Sequence, residues 1–303
     1  MQVLPLELGN GSLESLGGFT DFVFACAIDR KHDRLAAAGQ DSIIRVWDIR
    51  TRQTVAVLRR HMGDIRGLRF TDTGDLVSSG VDGRVVRWCH PDYVPIELVL
   101  PDVEFWACDV TDSQHCVTIT TAGELIGVNL IAMAISWRRR TGTPEGRAVA
   151  VAKRGGVVFV GAAQDGVVER YSLQGEPMES KYVAPMGCFR SLSATYDDHL
   201  ICAGENGRVA ALSVRTGELA RSWKAPTDDH VTAVGALSLE TVLAGTASGQ
   251  VWLFGQDAGE DGRLLVDWSE RSRFDCRDAD FRGARGINAY RTAALMARGA
   301  LTR

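Results

Sequence analysis

The histidines offer the most direct route to chemistry in this chain, because His32, His115 and His199 return at intervals of 83 and 84 residues, each in a polar turn between two apolar runs. Three imidazoles could hold a metal ion or relay a proton. Zinc, however, draws its ligands to within about 2.1 Å of one point, and these turns belong to separate units of the chain. Polar turn residues are the reading that the spacing favours. The seven cysteines are odd in number and include no C-x-x-C pair, which points to reduced thiols rather than to a disulfide framework or a zinc site. Cys26 and Cys108 occupy matching places in two apolar runs and read as small core residues. No Walker A, G-x-S-x-G, G-x-G-x-x-G, H-E-x-x-H or EF-hand pattern occurs. Two arginine groups could meet phosphates: Arg138 to Arg140 with Arg147 and Arg154, and Arg282, Arg285, Arg291, Arg298 and Arg303. Glu145, Asp275, Asp278 and Asp280 dilute both, so solvated edges are the plainer reading.

The whole chain sets the bounds within which such residues must be placed. Its 303 residues, 45% of them hydrophobic, can bury a full core, and its formal net charge of −4 gives no global reason to attract nucleic acid or an anionic membrane. The first residues, MQVLPLELGNGSLESL, lack the basic and apolar regions of a signal peptide, and no stretch approaches eighteen apolar residues. A soluble, cytoplasmic protein with no membrane contact is the expectation. Asn10-Gly11-Ser12 reads as a turn rather than a glycosylation site.

Repetition supplies the elements. The stretch GQDSIIRVWD from Gly39 to Asp48 returns as GVDGRVVRWC, with Asp82 for Asp41 and Trp88 for Trp47. The turn position recurs at Asp41, Asp82, Ala122-Gly123, Asp165, Asn206 and Ser248, a period of 41 to 42 residues that marks four-stranded units. Asp, Asn and Gly suit it, since a tight hairpin turn needs positive φ or a side chain that bonds its own backbone. Val23, Ile65, Phe105, Arg147-Ala148, Phe189 and Val231 mark an earlier strand in each unit. The runs TVAVLRR, PIELVLPD, AISWRRR, SKYVAP, ELARSWKA and LLVDWSE mark a last one.

These residues resemble WD40 repeats: Trp47-Asp48 is the namesake dipeptide, and HMGDIRGLRF followed by LVSSGVDGRVVRW matches the family's His, Ser, Asp and Trp positions. The resemblance is plain in the first two repeats and survives only as a frame in the rest. It implies an all-β fold, a single β-propeller of four-stranded blades over residues 1–303. Residues 273–303 would form a seventh blade closed by the N-terminal strand, or alternatively a C-terminal helix beside six blades. It also implies a buried chain in repeat two, in which Asp82 holds His61, His61 bonds Ser78 or Ser79, and the serine reaches the indole of Trp88. The other repeats lack this set, so apolar packing is expected to hold their blades.

Function, on this resemblance, falls to the loops that gather around the channel mouth, the usual partner site of the family. Phe22, Met62, Asp64, Trp106, Met186, Arg190 and Asp228 are the residues placed there as partner contacts, with Phe189 and Asp229 beside them. Aromatic, Met and Arg side chains dominate interface energetics. Trp106 stands out because it should point the opposite way from core residue Phe105. The implied function is a non-enzymatic scaffold for protein partners, with no cofactor, no metal and no small-molecule substrate. Two alternatives stay open: a propeller-type enzyme using acids such as Asp64, Glu104 and Asp228, and an RNA-binding propeller resting on the arginine groups.

Overall fold

A computed structural model describes residues 16, 18–19, 21–142, 145–162, 166–179, 181–184, 187–205, 207–225, 229–255 and 259–267. Short runs of alternating, β-branched character between turn residues become 24 strands in six sheets of four. The first blade holds β1 (Val23–Asp29), β2 (Arg34–Gly39), β3 (Ile43–Asp48) and β4 (Thr54–Arg59). The second holds β5 (Ile65–Phe70), β6 (Leu76–Gly80), β7 (Arg84–Cys89) and β8 (Val94–Val99), and the third β9 (Phe105–Val110), β10 (His115–Thr120), β11 (Glu124–Asn129) and β12 (Ala134–Arg140). Blade four comprises β13 (Gly146–Ala152), β14 (Val157–Ala162), β15 (Val167–Ser172) and the short β16 (Tyr182–Val183). Blade five comprises β17 (Phe189–Ala194), β18 (His199–Gly204), β19 (Arg208–Ser213) and β20 (Leu219–Lys224), and blade six β21 (Val231–Ser238), β22 (Thr241–Thr246), β23 (Gln250–Gly255) and β24 (Gly259–Asp267).

Each blade is an antiparallel meander, and the first strands pack in series, β1 against β5, β5 against β9, β9 against β13, β13 against β17 and β17 against β21. The sheets therefore face one another, and the core is a set of apolar clusters between consecutive blades. Trp47, Trp88, Val128, Tyr171, Leu212 and Phe254 hold one position in the third strands, and all are buried there. The turn before that strand has a left-handed residue in all six blades: Ser42, Gly83, Gly123, Gly166, Gly207 and Gly249. This is the conformation for which glycine carries no Cβ penalty, and blade one alone places a serine there. Asp41 and Asp82 close their turns by accepting the amides of Ile43 at 3.1 Å and Arg84 at 3.3 Å.

Six blades are present among the described residues. The expected seventh blade or C-terminal helix over 273–303, and the N-terminal strand, lie outside them. Cys108 is buried as expected, but Cys26 is exposed. The reason is the alternation of β1, which buries Ala25 and Ala27 against blade two and leaves Phe24, Cys26 and Ile28 on its open side.

Candidate interaction surface at the channel mouth

One feature of the backbone recurs in every blade and governs what its central end presents. The first strand slips its register by one residue just after it begins, so that one extra residue stands opposite the second strand. Such a bulge re-aims a side chain away from the regular pleat. The residues at the bulges are Phe24, Arg66, Trp106, Arg147, Arg190 and Thr232.

Four of them form a continuous row across blades one to four. The Arg66 guanidinium carbon lies 3.8 Å from the ring centre of Phe24 and 4.6 Å from that of Trp106, and the Arg147 guanidinium carbon lies 5.3 Å from the same Trp106 ring. Cation–π contacts of this kind contribute from about 0.5 to 2 kcal/mol each as exposure falls. Arg66 is further held by Asp64 at 2.7 Å. Arg147 meets Glu145 at 3.3 Å, and Arg190 stands 3.7 Å from Glu205. Phe22 stacks on Phe24 with centroids 6.4 Å apart and is 59% exposed, while Met62 is 81% exposed beside Arg84. Phe105 and Phe189 are fully buried, one residue before the bulge.

The structure thus brings Phe22, Asp64 and Trp106 together with Phe24, Arg66 and Arg147, which the sequence reading did not single out as a group. Part of the signal was present: Phe24, Arg66 and Trp106 each stand one residue after a strand-start mark, and Arg147 belongs to the mark of its own blade. Trp106 is half-buried and packs against the cluster of blades three and four, so Phe22 and Met62 offer freer apolar surface than it does. Met186 and Asp228 lie outside the described residues. Asp229 accepts the amides of His230 at 2.8 Å and Ser248 at 2.6 Å.

Beneath this surface, repeat two contains a bonded polar chain. The Trp88 indole donates to Ser78 Oγ at 2.9 Å, Ser78 Oγ meets His61 Nε2 at 2.8 Å, and His61 Nδ1 lies 3.0 Å from Asp82 Oδ1. The serine is Ser78, not Ser79. Burial alone would raise the Asp82 carboxyl, but the bond from His61, its charge, and the amides of Met62 and Arg84 outweigh burial and hold it below the ordinary range. The expectation that other blades rest on apolar packing is corrected in blade four. There Tyr171 donates to Glu169 at 2.7 Å, Lys181 binds the same carboxylate at 2.6 Å, and the Gly142 amide completes it at 3.0 Å. A buried carboxylate needs such partners, and tyrosine at the tryptophan position supplies one. Blade one pairs Asp41 with Arg45 at 2.8 Å instead.

The three recurrent histidines each stand beside an aspartate close in sequence: His32 bonds Asp29 at 2.6 Å and His115 bonds Asp112 at 3.1 Å, while His199 lies 3.4 Å from Asp197 without a hydrogen bond. Among the described residues no group of three or more His, Cys, Asp or Glu could hold a metal ion. Of the acids weighed for catalysis, Glu104 lines a cleft of about 760 Å³ with Asp82, Asp102 and Glu124. Asp64 is bonded to Arg66 and is not part of that lining. Arg138, Arg139 and Arg147 pair with Glu124, Glu176 and Glu145, so the first arginine group is not a bare stripe, and the second lies outside the described residues.

Six four-stranded blades in series, with a buried Trp–Ser–His–Asp chain in the second, define a β-propeller of WD40 type. The family described as "WD domain, G-beta repeat" matches residues 11–48 and 52–89, and these two segments carry its repeats. Similar proteins include Protein DSE1 of Scheffersomyces stipitis, 43% identical over 53 residues, which are 18% of this chain and 8% of that protein. Protein HIR1 of Gibberella zeae is 25% identical over 152 residues, covering 43% of this chain and 14% of the relative. Protein hir-1 of Neurospora crassa is 30% identical over 96 residues, 27% of this chain and 9% of the relative. The matched part of the chain thus spans at most 14% of the length of these relatives.

Proposed function

We propose that this protein is a non-enzymatic scaffold that docks a partner protein, through a peptide or loop, on the surface built by the bulge residues and the loops beside them. The observation that carries the reading is the row Phe24, Arg66, Trp106 and Arg147, with exposed Phe22 stacked on Phe24 and exposed Met62 beside Arg84 on the loop that leads into β5. Large aromatic, Met and Arg side chains set outside the inter-blade core are the types that dominate interface energies. The family's general use of propellers as interaction modules agrees with it, and fold alone would not suffice. The setting is taken as cytoplasmic and reducing, which the free thiols of the described cysteines support. Among the described residues no helix is long and apolar enough to cross a membrane.

The test is affinity purification from the native cell with the wild-type chain and with Phe22→Ser/Met62→Ser. Selective loss of a co-purifying protein at unchanged melting temperature is the expected result. Identical sets of co-purifying proteins would remove the reading. Trp106→Ala is the poorer probe, because the ring also packs on the core and its loss lowers stability.

A further inference from the structure

We propose that the mouth takes an acidic peptide, one of whose carboxylates is gripped by Arg147 and Arg190 on blades four and five. This rests on the reading of the mouth as the partner-binding surface and names the chemistry of what binds there. The two arginines occupy the same bulge position on β13 and β17, which pack side by side. Both act on one thiol, Cys188, whose pKa burial raises, the two guanidinium charges lower, and their partners Glu205 and Glu145 raise.

The bonding of these two differs from that of Arg66. Arg66 is stacked between Phe24 and Trp106 and bound to Asp64 at 2.7 Å. Arg147 has Glu145 at 3.3 Å, a side chain 62% exposed, and Arg190 has Glu205 only at 3.7 Å, beyond hydrogen-bond reach. The Nε atoms of both, like that of Arg66, are enclosed and meet no acceptor among the described residues, so the difference lies in the looser carboxylate partners of Arg147 and Arg190. A guanidinium presents five donors in a planar fork that fits a carboxylate in bidentate fashion. Here two forks stand on neighbouring strands, each with one loosely held carboxylate beside it among the described residues, and an added carboxylate also relieves their mutual repulsion.

A polyphosphate chain fits less well. Each arginine of the row has an acid beside it, and the neighbouring cleft between blades two and three is lined by Asp82, Asp102, Glu104 and Glu124. A continuous backbone of phosphates would cross those carboxylates, whereas a peptide can set one acidic side chain between Arg147 and Arg190 and turn other residues toward Phe22 and Met62.

The experiment is fluorescence anisotropy, at low salt, of a labelled octapeptide of glycine and serine with one central glutamate, with the same peptide carrying glutamine or lysine at that place and oligothymidine of equal length as comparisons. The glutamate peptide is expected to bind in preference to the other three. Arg147→Gln/Arg190→Gln should weaken its binding at least about a hundredfold, the loss of a charge-assisted bond from each guanidinium. Arg215→Gln, which removes the same charge from the turn between β19 and β20, should leave binding as in the wild type. Equal binding to the double variant, or a preference for oligothymidine, would overturn the proposal. If no probe binds while the Phe22→Ser/Met62→Ser variant still loses its partner, the acidic-peptide inference fails and the docking surface stands.

Discussion

Trp88 donates its indole N–H into a chain that ends on Asp82, and both its apolar bulk and that bond are spent inside blade two. Trp88→Ala is expected to cost about 3 to 5 kcal/mol, the range for truncating a large buried aromatic, in equilibrium denaturant unfolding; a cost below about 1 kcal/mol would place the ring outside the core. Asp82 gives the chain a pH signature. Its carboxyl is held below the ordinary range in the folded protein, while the unfolded chain titrates near the usual value of about 3.9. The stability this supplies is complete above that value and is lost as pH falls through the lower folded one. Asp82→Asn should therefore flatten the acid limb of stability against pH, read by melting temperature from neutral to strongly acid buffers. An unchanged acid limb would mean that another carboxylate carries it.

The element that organises every blade is the hairpin between its second and third strands, with one left-handed residue at its tip. Gly83 shows why the position is demanding: its φ is +73°, and an added Cβ would stand 2.2 Å from the Leu100 carbonyl oxygen. Gly83→Ala should destabilise by at least about 1 to 2 kcal/mol, the penalty of the left-handed backbone alone. At the equivalent Ser42, where φ is 59°, Ser42→Gly should be neutral or stabilising by up to about 1 kcal/mol. Matching effects in denaturant melts would argue against a shared turn. These turns were legible in the sequence because Asp and Gly recur at one period, and so were the inner and outer strands. The bulges were not, since the residues that occupy them, from Phe24 to Thr232, share no chemical type; only the slip in pairing defines the set. For the same reason the grouping of Arg66 and Arg147 around Trp106 was hidden, although Arg66 and Trp106 lie one residue past a strand-start mark and Arg147 lies on one. Blade four's Glu169 chain was equally obscure, because Lys181 reaches it from an outer strand's edge rather than from a family position.

At the scale of the molecule, the inter-blade clusters take up the apolar side chains of the regular pleat, and the bulges leave one residue per blade free for the central end. That division explains how a chain whose repeats diverge in every blade still presents one organised surface. Trp47, Leu212 and Phe254 fill one buried position, and Tyr171 both fills it and bonds Glu169, whereas Phe22 and Met62 are exposed and Arg147 and Arg190 are only partly covered. The central claim is that partners dock at this end rather than on the outer strands, where Val183 is also 68% exposed. A photo-crosslinking residue placed in turn at Met62 and at Val183, followed by irradiation in native cell extract, tests it most directly. A discrete adduct is expected from Met62 that disappears when Phe22→Ser is added, and none from Val183. A discrete adduct from Val183 with none from Met62 would contradict it.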